Sequence, residues 1–83
     1  MEAAFVVITR DRWAALAATV GRLRARHPSV PIVVVDNGSE RPAPPLGPGV
    51  ELVRCAADLG AAARNAGAER AGTDLVAFCD DDA

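Results

Sequence analysis

The sequence contains no lysine and no tyrosine, and it has only two cysteines, Cys55 and Cys79, among its 83 residues. Its nine basic side chains are therefore all arginines, and eleven acidic residues give the chain a formal net charge of −2. This charge, without a visible basic cluster, is not typical of a nucleic-acid-binding protein. Two cysteines so far apart predict buried, reduced thiols rather than a disulfide framework or a zinc site.

Long apolar runs are also missing, although 51% of the residues are hydrophobic. No stretch reaches the ~18 apolar residues that a membrane-spanning helix needs, and the amino terminus lacks the basic start of a signal peptide. We therefore expect a cytoplasmic chain without a membrane segment, and any membrane association would come from regions outside it. The length suits one small domain, and the hydrophobic content argues against disorder.

Three short apolar runs predict buried β-strands, and a fourth segment, 50–55, has a weaker strand pattern because Glu51 and Arg54 interrupt it. They cover residues 5–8, 32–35, 50–55 and 75–79. The apolar residues of the three runs are continuous rather than alternating, which fits strands that are buried on both faces of a sheet. The segment 40–49 holds four prolines and two glycines, and we expect it to form a mobile surface loop.

Two segments between these runs predict α-helices. The first is expected to follow Asp11, whose side chain can cap it, and to stop before Pro28. Its apolar stripe consists of Trp13, Leu16, Val20 and Leu23. The second covers roughly residues 61–71 and ends at Gly72. Gly67 lies inside it at a cost of about 1 kcal/mol relative to alanine, which predicts a close backbone contact at that position. Strands that alternate with helices imply a parallel sheet with right-handed crossovers.

The ends of the predicted strands carry the polar residues of interest. Thr9, Asp36 and Asp80 each come directly after an apolar run. In an open parallel sheet these strand ends share one edge, and ligands bind in the crevice outside it. Asp36 has two open interpretations. Its carboxylate can accept hydrogen bonds from a base or ribose, or it can cap the turn that Asn37 and Gly38 form.

Asp80, Asp81 and Asp82 place three carboxylates on consecutive residues. Their repulsion is costly unless a cation lies among them or water solvates them. Magnesium and manganese prefer such oxygen ligands and bridge them to substrate phosphates, so a metal site is predicted, with a solvated acidic turn as the alternative. Arg64 lies in a helix with no other charge before Glu69, and its guanidinium suits a diphosphate. The alternative for Arg64 is a solvent-exposed helical side chain.

Other nucleotide-binding folds lack their motifs here. A dinucleotide-binding fold needs G-x-G-x-x-G after the first strand, where this chain has Thr9, Arg10, Asp11 and Arg12 instead. A P-loop needs a lysine, as do receiver domains and the glycine-rich loop of metal-dependent nucleotidyltransferases. The absence of lysine argues against all three classes.

Four segments together resemble the start of a family 2 glycosyltransferase with the GT-A fold. They are residues 6–10 (VVITR), 32–39 (IVVVDNGS), 60–67 (GAAARNAG) and 76–82 (VAFCDDD). The resemblance implies a three-layer α/β fold, with a mostly parallel sheet in the order 3-2-1-4 and flanking helices. It implies binding of a nucleoside diphosphate sugar with Mn²⁺ or Mg²⁺ for transfer of the sugar to an acceptor, usually with inversion.

The resemblance also implies a role for each matching polar residue. Thr9 and Asp36 contact the nucleoside, with Asp36 on the base, and Arg10 is assigned to substrate binding. Arg64 lies near the base or the diphosphate. In the Asp-x-Asp motif, Asp82 is the direct metal ligand, Asp80 the second ligand, and Asp81 lies nearer the ribose. One departure concerns Asp58, where the family often has asparagine, and Asp58 is left out of the predicted site.

The general base and the acceptor site lie downstream in the family. We therefore expect residues 1–83 to be the nucleotide-sugar-binding half of the domain, truncated after the Asp-x-Asp motif and inactive alone. Two alternatives remain. The chain can be a non-catalytic nucleotide-binding remnant, or a metal-dependent nucleotidyltransferase that lacks the usual lysine. The acceptor is unknown.

Overall fold

Four parallel strands form the sheet of this computed structural model, which describes residues 2–82. The strands are β1 (Ala3–Thr9), β2 (Ile32–Asn37), β3 (Val50–Cys55) and β4 (Leu75–Asp80). Their order is β3-β2-β1-β4, and each neighbouring pair is parallel. The predicted strand order and direction are therefore confirmed.

Two helices cover opposite faces of this sheet. The first, α1 (Trp13–Arg26), buries Leu16 and Val20 in one apolar cluster. This cluster also contains Val7, Ile32 and Val34 of the two central strands. Burial of each such side chain stabilises the fold by about 1.5–3 kcal/mol. The helices and sheet thus form the three layers that the sequence predicted.

The second helix, α2 (Ala63–Ala71), follows a short 3₁₀ turn and ends at Gly72, which has the left-handed φ of 60°. Gly67 faces Val6 and Val35 so closely that a β-carbon at this position would overlap both side chains. The predicted close contact at Gly67 is confirmed, and it explains a glycine inside a helix. Because α2 lies directly against β1 and β2, its amino-terminal end is held near the carboxyl ends of those strands.

The prediction that Asp11 caps α1 is wrong. Arg12 occupies the position before the helix and makes no side-chain capping bond. The Asp11 carboxylate instead accepts hydrogen bonds from the backbone N–H groups of Glu40 and Arg41. Each of these donors lies 3.0 Å from Oδ1 of Asp11. The start of the proline-rich loop, which the sequence predicted to be mobile, is therefore fastened to the β1–α1 connection. Further along, Leu46 of this loop packs against the α1 cluster.

Strand β4 differs from the buried strand that the sequence predicted. It lies at the sheet edge, and Leu75 and Phe78 are 53% and 44% exposed. Every residue of β2 is buried, because β2 lies inside the sheet and under both helices. The cysteines are free, as predicted, but both are half-buried rather than buried. Cys55 ends β3 and Cys79 lies in β4, at opposite edges of the sheet.

Candidate functional site

The carboxyl edge of the sheet gathers the polar residues that follow the strands. Thr9 lies beside Asp36, and Ile8 lies beside Asp80, in the strand register. This confirms that Thr9, Asp36 and Asp80 share one edge. Successive strand residues point to opposite faces, however, so Thr9 and Asp36 belong to the α1 face and Asp80 to the α2 face. The next residue, Asp81, is the one whose carboxylate meets Thr9.

Asp81 is the best anchored of the three consecutive aspartates and is only 7% exposed. The Thr9 hydroxyl donates to its carboxylate at 3.0 Å, and the Thr19 hydroxyl of α1 donates to its main-chain carbonyl at 2.9 Å. The Arg12 guanidinium lies 3.4 Å from the other carboxylate oxygen. These contacts fix the turn after β4 onto the first half of α1. We call Thr9, Arg12, Thr19, Asp81 and Asp82 the Arg12 corner.

Asp82 lies at the exposed end of the Arg12 corner. Its Oδ2 is 2.8 Å from Nη2 of Arg12, and both side chains are more than half exposed. The hydrogen bond from Arg12 lowers the pKa of Asp82, and the same bond raises the pKa of Arg12. Within residues 2–82, no other residue forms a hydrogen bond or ion pair with the Asp82 side chain. A helix amino terminus disfavours a cation, and the two aspartates offset that unfavourable position of Arg12.

The Arg12 corner supplies the oxygen ligands that magnesium and manganese prefer. The guanidinium of Arg12 already places one positive charge against both Asp81 and Asp82. Among the described residues, no group of three acidic, histidine or cysteine side chains converges on one point. Magnesium is commonly held by one or two carboxylates together with substrate phosphates. The residues therefore fit a metal whose coordination a diphosphate completes, and they do not fit an all-protein cage.

A second ion pair also begins from the connection between β1 and α1. Nη1 of Arg10 is 3.0 Å from Oδ2 of Asp58. The other oxygen of Asp58 accepts hydrogen bonds from the side-chain amide of Asn37 at 3.0 Å and from the backbone N–H of Gly60 at 2.7 Å. We call Arg10, Asn37, Asp58 and Gly60 the Arg10 corner. Asp58, which was left out of the predicted site, thus joins the last residue of β2 to the start of the 3₁₀ turn before α2.

Asp36 is almost fully buried, at 1% exposed. Its Oδ1 accepts a hydrogen bond from the backbone N–H of Ser39 at 2.9 Å, and its Oδ2 lies 3.5 Å from Nε of Arg54. The turn-capping interpretation of Asp36 is therefore present in the structure. Contact with a base stays a prediction, since it would use the second oxygen on the side of Arg54.

Arg64 and Asp80 line one cavity of about 140 Å³ on the α2 face. The guanidinium carbon of Arg64 lies 5.3 Å from the centre of the Phe78 ring, within the range of a cation–π contact. Asp80 is exposed at the mouth of this cavity. Of the two predicted metal ligands, Asp80 thus lines the cavity that also contains Arg64, whereas Asp82 forms an ion pair with Arg12.

Sequence reasoning missed Arg12, Thr19 and Asp58. An arginine at the unfavourable end of a predicted helix was a usable signal for Arg12. No comparable signal existed for Thr19 or Asp58, since their partners are 62 and 21 residues away in the sequence.

Comparison with known proteins identifies a family for this chain. The family model described as glycosyl transferase family 2 matches residues 4–83. No curated protein matches the chain, and no solved structure does. In the part of the chain that the structure describes, neither helix has the length and apolar character to cross a membrane.

Proposed function

The chain belongs to glycosyl transferase family 2, and from this premise we propose that its sheet edge binds a nucleoside diphosphate sugar together with Mn²⁺ or Mg²⁺. The observation that carries the proposal is the position of Asp82. Its exposed carboxylate stands at the carboxyl edge of a parallel sheet, on a turn that Thr9 and Thr19 hold in place. Ligands bind at such an edge in open α/β sheets.

Each residue then has a separate task. Asp82 holds the metal, while Asp81 stays in hydrogen bonds with the protein and fixes the turn. When bound, the metal supplies positive charge that stabilises the departing diphosphate. Arg64 lies on the other face of β4, where its guanidinium can meet a phosphate oxygen that reaches the cavity beside Asp80.

Asp36 and its neighbours form the nucleoside end of the proposed site. Asp36 is buried beside Thr9 at the end of the central strands, which keeps its carboxylate rigid for a hydrogen bond to a base. The resemblance assigns the acceptor site and the general base to residues outside these 83. We therefore propose that residues 1–83 bind the donor and leave transfer, with inversion at the sugar, to the rest of the domain.

The test is a calorimetric titration of UDP, GDP, ADP, CDP and dTDP into the metal-free protein, with and without manganese. We expect at least one diphosphate to bind when manganese is present and to dissociate when EDTA is added. Asp82→Asn should weaken that binding by about 100-fold or more, because loss of even an outer partner that orients a metal ligand reduces affinity by about 10- to 100-fold.

Asp74→Asn is the matched control, since Asp74 is exposed and lies directly before β4, at the opposite end of the strand. It should bind the diphosphate as the wild type does. Diphosphate binding that is indifferent to EDTA and to Asp82→Asn would remove the metal from the proposal. No binding of any of the diphosphates would refute the proposed function.

A further inference from the structure

We propose that the Arg12 guanidinium competes with the divalent metal for the Asp82 carboxylate. Metal binding then requires Arg12 to release Asp82. The inference rests on the proposed function, because it takes Asp82 as a metal ligand. It assigns a role in the donor site to a residue outside the Asp-x-Asp motif, on a different element of the fold.

The contact geometry supports competition. Nη2 of Arg12 is 2.8 Å from Asp82, and Nη1 of the same guanidinium is 3.4 Å from Asp81. One side chain therefore covers both carboxylates with a single positive charge. A metal ion held by Asp82 would share this carboxylate with the guanidinium, so that a dication and a monocation would lie against the same acid. Repulsion between the two cations favours one occupant at a time.

The turn that carries Asp82 has anchors other than Arg12. Thr9 and Thr19 hold Asp81 through its side chain and its main-chain carbonyl, and both bonds are buried. Arg12 can therefore leave Asp82 without releasing the turn. The two side chains of the Arg12–Asp82 pair are 52% and 55% exposed, and ion pairs of such exposure exchange readily with solvent because they are weak.

The Arg10 corner begins from the same connection between β1 and α1, and its ion pair contains an acid with further hydrogen-bond partners. Oδ1 of Asp58 is also bound by the Asn37 amide and by the backbone of Gly60, so displacing Arg10 would free only Oδ2 and leave the carboxylate fixed in place. Asp82 has no such additional partner among residues 2–82. Of the two arginines, Arg12 alone holds an acid that is otherwise available.

The competition sets the size of the expected effect. An exposed ion pair of this kind is formed about one half to four fifths of the time, so Asp82 is free for the remaining half to one fifth. A site that is available only part of the time binds with an affinity reduced by that fraction. Removing the guanidinium should therefore raise the affinity for manganese by about two- to fivefold.

The experiment titrates Mn²⁺ into the metal-free protein and follows the electron paramagnetic resonance signal of free Mn²⁺. Four proteins are compared: the wild type, Arg12→Gln, Arg12→Lys and Arg26→Gln. The last is a charge-matched control, because Arg26 is the exposed final residue of α1, at the other end of the helix from Arg12. Circular dichroism checks that each variant is folded.

We expect Arg12→Gln to bind manganese about two- to fivefold more tightly than the wild type, and Arg26→Gln to bind equally well. Arg12→Lys should lie between, because an ammonium group keeps the charge but not the planar fork that reaches both aspartates. If Arg12→Gln is unfolded, tighter binding by Arg12→Lys than by the wild type supports the same conclusion.

Unchanged or weaker manganese binding by Arg12→Gln would overturn the inference, as would an equal gain in Arg26→Gln. No binding of manganese by any of the four proteins would overturn it as well. The proposed function is judged separately, by the manganese-dependent diphosphate titration and its loss in Asp82→Asn. Failure of the competition can therefore be distinguished from failure of the proposed function.

Discussion

The Arg10 corner and the Arg12 corner begin from the same short connection between β1 and α1. In each, an arginine pairs with an aspartate from a distant segment, at 3.0 Å for Arg10 with Asp58 and at 2.8 Å for Arg12 with Asp82. All four side chains are about half exposed. The pairs differ in what else binds the acid, since Asp58 has two further donors and Asp82 has none from another residue in the described chain. Distance alone therefore does not tell a structural ion pair from an exchangeable one.

The same contrast divides the acidic triplet. Asp81 is buried and bound by two threonines, whereas Asp82 is exposed and bound by one arginine. A carboxylate whose oxygens are already engaged stabilises the fold, and a carboxylate with a weak, exposed partner is free to take a ligand. Adjacent residues of identical chemistry thus receive different tasks from their surroundings.

The largest effect that tests this division is expected from Asp81→Ala. Loss of this carboxylate leaves the buried Thr9 hydroxyl without its acceptor and removes one partner of Arg12. We expect the free energy of unfolding to fall by about 3 kcal/mol, the upper range for a buried polar group that loses its partner. Urea denaturation measures it. Asp82→Ala is the control and should change the unfolding midpoint far less. Similar losses in the two variants would contradict the distinction between Asp81 and Asp82.

A smaller loss of stability is expected from Asp58→Ala, which tests the Arg10 corner. It removes the acceptor of the Asn37 amide and of the Gly60 N–H, and should lower the unfolding free energy by about 2 kcal/mol. Asp58→Asn keeps one acceptor oxygen and loses only the charge, so it should stay close to the wild type because exposed ion pairs contribute little. If Asp58→Asn were as unstable as Asp58→Ala, the pair with Arg10 would be the main contribution and the comparison of the corners would need revision.

The smallest expected effect is a change in the stability of the fold at acidic pH. The hydrogen bond from Arg12 lowers the pKa of Asp82. A carboxylate with a lowered pKa in the folded state adds stability above its unfolded pKa of about 3.9, and this stability is lost as the pH falls through the folded pKa. The wild type should therefore be slightly more stable than Arg12→Gln near neutral pH, and the difference should shrink below pH ~3.9. Urea midpoints measured across this range test it. A difference that stays constant in acid would show that Arg12 stabilises the fold by packing rather than by its charge.

The sequence predicted well wherever a feature depends on local pattern. The strand at 50–55 agrees with β3 to the residue, and Gly72 ends α2 as expected. Prediction from the sequence was wrong where more than one partner lay within reach of a side chain. Asp11 was expected to cap α1, the nearest group, but it accepts hydrogen bonds from the backbone of Glu40 and Arg41. A capping pattern cannot show that a distant loop offers two N–H groups in better geometry.

The apolar runs by themselves determined which segments become strands, because continuous β-branched runs have few other ways to be buried. They also determined which polar residues lie at the carboxyl edge of the sheet, since these residues directly follow the runs. Only the tertiary structure decided which face each of the three consecutive aspartates meets. Alternation along β4 sends Asp80 toward Arg64 and brings Asp81 to Thr9. The pairing of Arg10 with Asp58 and of Arg12 with Asp82 also spans 48 and 70 residues. Contacts over such separations arise from the packing of α1 and the loops on the sheet, which no local pattern encodes.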